Sequence, residues 1–171
     1  MANEEPDFAI LKKENDIEIR QYKNFLTASI EIEGDRKEAI GKGFRFLFKY
    51  ISGENKNKES ISMTIPVMKK SSGNNKWNIS FVVPKKFDLK NVPQPENLNI
   101  QIENNINFKV ITITFSGLFS DGNIKENETK LRDYIKEKGF KIEEPAIYAG
   151  YNAPWTPWFL KKNEVMFTLA G

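Results

Sequence analysis

Hydrophobic positions recur along this chain with two distinct periods. Between Asp16 and Glu33, Ile17 and Ile19 alternate with Glu18 and Arg20. Beyond Asn24, Leu26, Ala28, Ile30 and Ile32 alternate with Thr27, Ser29, Glu31 and Glu33. Period two with one apolar face predicts two half-buried strands or one bent strand. The period then changes. Asp35 followed by Glu38 reads as a capping box, and Ile40, Phe44, Leu47 and Ile51 fall on one helical stripe that Gly53 would end. Phe46, Phe48 and Tyr50 lie off that stripe, so this helix carries more apolar surface than one core face requires. Ile61 to Met68 reads as a strand in which Pro66 marks an edge or bulge, and Lys69 to Asn75 as a polar turn. Trp77, Ile79, Phe81 and Val83 form the returning strand of a hairpin.

After a connector from Lys85 to Glu96 the order repeats. Leu98, Ile100 and Ile102 alternate, and Phe108 to Phe115 is strand-like. Gly117 to Asn123 reads as a turn with Asp121 as N-cap. Ile124, Leu131 and Ile135 then share a helix face that ends at Gly139. Ile147 to Tyr151 and the alternating Val165, Phe167 and Leu169 supply two more strands. Each half thus contains a β, α, β, β order. The predicted fold class is α+β: a distorted antiparallel β-barrel or sheet with two helices outside it, built from pseudo-twofold duplicated βαββ halves. The halves run from about 16 to 84 and 97 to 170 of one domain, 16–171, behind an N-terminal extension, 1–15.

Composition narrows the chemistry. The 171 residues include no Cys and no His. That removes disulfides, thiolate catalysis, zinc–thiolate sites, His triads and the usual proximal haem ligand. Charge is close to balanced, with 26 basic against 23 acidic residues and scattered lysines, so no nucleic-acid-binding arm is predicted. No apolar run approaches the ~20 residues of a membrane span. The start, Met1-Ala-Asn-Glu-Glu-Pro6, lacks the basic and apolar segments of a signal peptide. A cytoplasmic monomer is expected, or a periplasmic or secreted one if a signal peptide has been removed. Gly41-Lys-Gly43 lacks the spacing of a phosphate-binding loop. Glu143 and Glu144 read as solvated surface.

Several strings are specific. Ile17-Glu-Ile-Arg-Gln-Tyr22, Gly43-Phe-Arg-Phe-Leu-Phe-Lys-Tyr-Ile-Ser-Gly53 with Asn55, and Ser62-Met-Thr-Ile-Pro-Val67 occur in order. Trp77-Asn-Ile-Ser-Phe-Val-Val-Pro84, Phe115-Ser-Gly117, Tyr151-Asn-Ala-Pro154 and Lys161-Lys-Asn-Glu-Val165 follow them. Together they resemble the SOUL haem-binding protein family over nearly the whole chain. The resemblance implies a distorted barrel of two βαββ halves. It also implies non-enzymatic, reversible binding of haem or another tetrapyrrole in a shallow apolar site formed by the first helix and the loop before the last strand. Some members carry a proposed haem-ligating His between the Arg and Tyr of the opening string. Here that position is Gln21, so any tetrapyrrole is held without a His ligand.

On that reading Phe44 and Phe48 pack on a porphyrin face and Lys49 meets a propionate. The alternative is that Phe44 is core and Lys49 a solvated charge. Tyr151-Asn-Ala-Pro-Trp-Thr-Pro-Trp-Phe-Leu160 concentrates aromatic residues between prolines. Trp155, Trp158 and Phe159 are either the wall of a ligand site or a plug for one end of the barrel, and Lys161 follows them as a partner for carboxylates. Met63, Met68, Tyr50 and Tyr151 are the other conceivable iron ligands, more simply read as core. Glu164 reads as a buried acceptor or, less simply, as the general base of a small hydrolase. A binding module for another amphipathic small molecule is the rival reading.

Overall fold

The computed structural model describes residues 3–152 and 156–171. Nine strands and two helices form it: β1 (Phe8–Glu14), β2 (Ile17–Tyr22), β3 (Phe25–Glu33), α1 (Arg36–Ile51), β4 (Val67–Gly73), β5 (Lys76–Val82), β6 (Ile100–Asn105), β7 (Lys109–Ser116), α2 (Asp121–Lys138), β8 (Ile142–Gly150) and β9 (Lys162–Leu169). All strands join one curled antiparallel sheet in the order β1-β2-β7-β9-β8-β4-β5-β3-β6. The two duplicated units, β3-α1-β4-β5 and β7-α2-β8-β9, meet where β4 pairs β8. The strand before each unit crosses over: β2 pairs β7, and β6 pairs β3.

Both helices cover the same face of the sheet. α1 packs on β3 and β5 through Ala39, Gly43, Leu47 and Ile51, with Ala28, Ile30, Ile79 and Phe81 beneath. α2 packs on β7 and β9 through Ile124, Leu131 and Ile135, over Ile111, Ile113, Val165 and Phe167. One row of directly opposed residues crosses this face as Ile100, Ile30, Ile79, Lys69, Tyr148, Val165, Ile113 and Ile17. Lys69 is the one charge in that row. The opposite face is more polar and contains a smaller cluster around Tyr22, Val110, Met166 and Tyr151.

The caps follow local chemistry. Asp35 accepts from the Glu38 backbone N–H at 2.9 Å, as the capping pattern predicts. α2 begins differently from the expectation. Ser120, not Asp121, is its N-cap and accepts from the Asn123 N–H, while Asp121 opens the first turn. Gly139 closes α2 at φ 75°, a left-handed cap that suits glycine.

Other boundaries move as well. Residues 8–14, counted with the N-terminal extension, form an edge strand whose pairing with β2 is irregular between Ile10 and Lys12. Ile61 to Pro66 is not a strand: Pro66 offers no N–H, and β4 starts after it. The pairing instead continues through Lys69 to Gly73, so the turn shrinks to Asn74 and Asn75, both at positive φ. The strand read at Ile147 to Tyr151 begins earlier, at Ile142, with an irregular stretch between Glu143 and Ile147. Glu144 there takes a double hydrogen bond from Arg132, at 2.7 and 2.8 Å.

Candidate functional site

Phe44 sits one turn before Phe48 on α1. The two rings lie nearly parallel, 11° apart with centroids at 6.1 Å, and Phe44 makes an edge contact with Phe81 at 5.2 Å. Phe44 is half-buried, so it belongs to the core and to the surface together. Phe48 is half exposed and Lys49 beside it is exposed. Phe81 directly opposes Val67, and Val67 opposes Gly150. The end of β8 therefore lies about 10 Å from β5, the strand whose Phe81 meets Phe44, two inter-strand spacings.

From that end the chain enters the aromatic segment. A short 3-10 helix at Trp158–Leu160 exposes all three side chains, with Trp158 at 62%, Phe159 at 60% and Leu160 at 62% exposed. The Trp158 and Phe159 rings meet edge to face at 5.7 Å. Lys161 is half-buried, and its carbonyl accepts from the Gly117 N–H. The rings group as Phe44 with Phe48 and Trp158 with Phe159; among the described residues no aromatic pair joins the two groups. Trp155 lies outside the described residues.

The stem of this segment is clamped from the far side of the sheet. The Tyr151 N–H donates to the Lys162 carbonyl, and the Lys162 N–H donates to Asn152 Oδ1 at 2.6 Å. Behind them Glu164 is fully buried. Arg20 Nη1 and Nη2 donate to its two carboxylate oxygens at 2.9 and 2.5 Å, Thr114 donates at 2.9 Å, and the Tyr151 hydroxyl donates as well. Arg20 also donates to the Tyr22 hydroxyl and to Glu18. Burial pushes the Glu164 carboxyl up, but the Arg20 guanidinium outweighs it and holds the group below its ordinary value. Burial and the Glu164 charge push the Tyr151 hydroxyl far upward, so it stays protonated as a donor. Every Glu164 oxygen is thus occupied, which leaves no lone pair aimed at a substrate proton. The sequence leaves Glu164 open between a general base and a buried acceptor for backbone N–H groups; in the structure it is an acceptor, but its donors are side chains, and Arg20 is visible in the sequence only as part of the opening string.

The other conceivable iron ligands are differently committed. The Tyr50 hydroxyl is buried and donates to the Pro93 carbonyl at 2.6 Å, as the Tyr151 hydroxyl does to Glu164. Met63 packs against the α1 core and Met68 against the opposite face. Gln21 lies on β2, where Ile19, Phe140 and Leu169 share a cleft with it at the far end of α2. Lys69, read from sequence as a turn residue, is a buried strand residue. Burial, with Arg36 nearby, pushes its amine down to about 8.

The curled sheet with both helices on one face defines a fold seen in proteins of quite different names. The EcmrR C-terminal domain superimposes with a TM-score of 0.69 at 12% identity, covering 90% of this chain and 96% of that one. A structure described as a hydrolase from Listeria innocua superimposes with a TM-score of 0.64 at 10% identity, covering 91% and 92%. At such identities the likeness is one of fold alone. The sequence is more specific. The model of the SOUL heme-binding protein family matches residues 3–168, and the chain belongs to that family. Heme-binding protein 2 of Mus musculus is 28% identical over 162 residues, covering 86% of this chain and 78% of the relative.

Proposed function

We propose that this protein binds haem or a related tetrapyrrole reversibly and without catalysis, in a shallow apolar site, with no histidine on the iron. The observation that carries the reading is the surface pairing of Phe44 with half-exposed Phe48 on α1, together with a clamped segment that turns Trp158, Phe159 and Leu160 outward. Monomeric proteins rarely leave such rings clustered in solvent without a ligand to cover them. A flat macrocycle gains about 25 cal/mol for each Å² of apolar surface it buries. Lys49 and Lys161, at the margins of the two ring groups, are the partners for its carboxylates. When bound, the tetrapyrrole supplies its own iron chemistry; the chain supplies apolar contact and charge. Family membership and the curated heme-binding relatives support the reading.

The test is a titration of the purified protein with hemin and, in parallel, with iron-free protoporphyrin, read by the Soret band and by Trp quenching. Saturable one-to-one binding of both is the expected result. Phe48→Ala and Trp158→Ala should each weaken binding about fivefold, the loss of roughly 1 kcal/mol from a half-covered ring. Affinity unchanged in both variants removes the site assignment. The absence of His and the prior engagement of the Tyr50 and Tyr151 hydroxyls favour a second reading, in which the ligand is another amphipathic molecule without iron. Equal competition by unrelated flat hydrophobes would support that alternative.

A further inference from the structure

Lys69 is out of place chemically. It stands on β4 at the junction of the two units, in a row otherwise made of aliphatic residues and Tyr148, and it is only 8% exposed. Its Nζ lies 4.3 Å from the centre of the Phe119 ring. Among the described residues no carboxylate pairs with it, and the charge that acts on it is a second cation, Arg36. The fold makes room for this amine. A Cβ on Gly150 of the neighbouring strand would lie 3.0 Å from Nζ, so the missing side chain at 150 is where the amine sits. Phe119 and Arg36, which flank Lys69, also line a cleft of about 650 Å³ between the starts of α1 and α2, with Ile40, Ser120 and Asp121; Arg36 is ion-paired with Asp121 there, and Lys69 itself is not part of the cleft wall. A volume of that size accommodates a small organic molecule.

We propose that Lys69 is a nucleophilic amine that condenses reversibly with a small aldehyde bearing an anionic group, admitted past Phe119 from the cleft between the helix starts, with Arg36 exchanging its pair with Asp121 for the anion. Desolvation and a neighbouring cation are the two means by which a lysine becomes nucleophilic at neutral pH. Both act here, and an amine held near 8 has on the order of two-hundredfold more free base at pH 7.4 than an ordinary lysine. The neutral amine's lone pair attacks the carbonyl carbon and forms the C–N bond as the C=O π pair moves to oxygen. Proton transfer from nitrogen to that oxygen and loss of water leave the imine. One water is released and nothing is oxidised or reduced. The proposal does not depend on tetrapyrrole binding.

Pyridoxal 5′-phosphate and phosphate-free pyridoxal are the probes. The full chain is incubated with a limiting amount of each, the imine is fixed with borohydride, and labelled lysines are mapped by peptide mass spectrometry. Lys69 should take the phosphorylated label at least tenfold faster than the average of the other lysines, with a saturable imine absorbance. Pyridoxal should label it several-fold less. Lys69→Arg should abolish the selective label, and Gly150→Ala should reduce it by displacing the amine. Label spread evenly over exposed lysines overturns the proposal; equal labelling by the two probes overturns the role given to Arg36. If Lys69→Arg does not fold, the map on the unaltered chain still decides.

Discussion

A single residue on the far side of the sheet holds the aromatic segment in place. Glu164 joins β9 to Arg20 on β2, to Thr114 on β7 and to Tyr151 at the entrance of the segment. Removing its charge leaves Arg20, 2% exposed, with Glu18 at 3.2 Å as its one remaining carboxylate partner among the described residues. Glu164→Gln is therefore expected to cost about 3–5 kcal/mol in chemical denaturation at neutral pH. The folded carboxyl lies below its ordinary value of 4.5, so its contribution is complete above that pH and is withdrawn as pH falls through the lower folded value. The acid limb of the stability curve should flatten in the variant. A stability loss under 1 kcal/mol would mean that the clamp is not energetically coupled to the fold. Sequence alone places Glu164 at the start of the last strand, just before the alternating Val165, Phe167 and Leu169. It does not show Arg20 as the partner, because that contact spans 144 positions. Lys69 was missed for a related reason: a Lys-Lys-Ser-Ser-Gly run has the composition of a turn, and tertiary burial overrode that local preference.

Elements were legible wherever one side chain pattern served one neighbour. The stripe on α1 and the face on α2 both point where the periodicity says, and the capping residue of α1 acts as its chemistry predicts. Proline and turn positions were harder, since the residues that decide them lie on adjacent strands. The closest fit within an element is at Gly43, where a Cβ would stand 2.8 Å from Ile79 Cδ1 and 3.1 Å from its Cβ. Ile79 is fully buried and β-branched, so it has little freedom to turn aside. Alanine gains about 1 kcal/mol in helix propensity, but overpacking costs about 1–3 kcal/mol. Gly43→Ala should thus lower the thermal midpoint rather than raise it. A higher midpoint would show that α1 can lift from β5 at little cost. Phe48→Ala on the same helix should leave the midpoint nearly unchanged, because its ring is half exposed.

At the scale of the whole molecule, the exchange of first strands binds the two units together. β2 completes the sheet of the second unit and β6 that of the first, so neither finishes its hydrogen bonding alone. Amide exchange in β3 and β5 should therefore report the same opening free energy as in β7 and β9. Clearly separated values would mean that the units unfold independently. The duplicated order was readable in the sequence; the crossover was not, because hydrophobic alternation records which face a residue takes and not which strand lies beside it. The proposed ligand site is readable only as a surplus of aromatic residues, since its two ring groups stand on elements that nothing local connects.

The order of strands also leaves the sheet open, with β1 and β6 as its two margins. An open margin invites a foreign strand to dock and propagate. β1 answers this with a break in its ladder between Ile10 and Lys12 and with the adjacent lysines Lys12 and Lys13. A chain adding there meets a misaligned ladder and two positive charges. The exposed Ile10 and Leu11 of this margin are thereby kept from seeding a fibril.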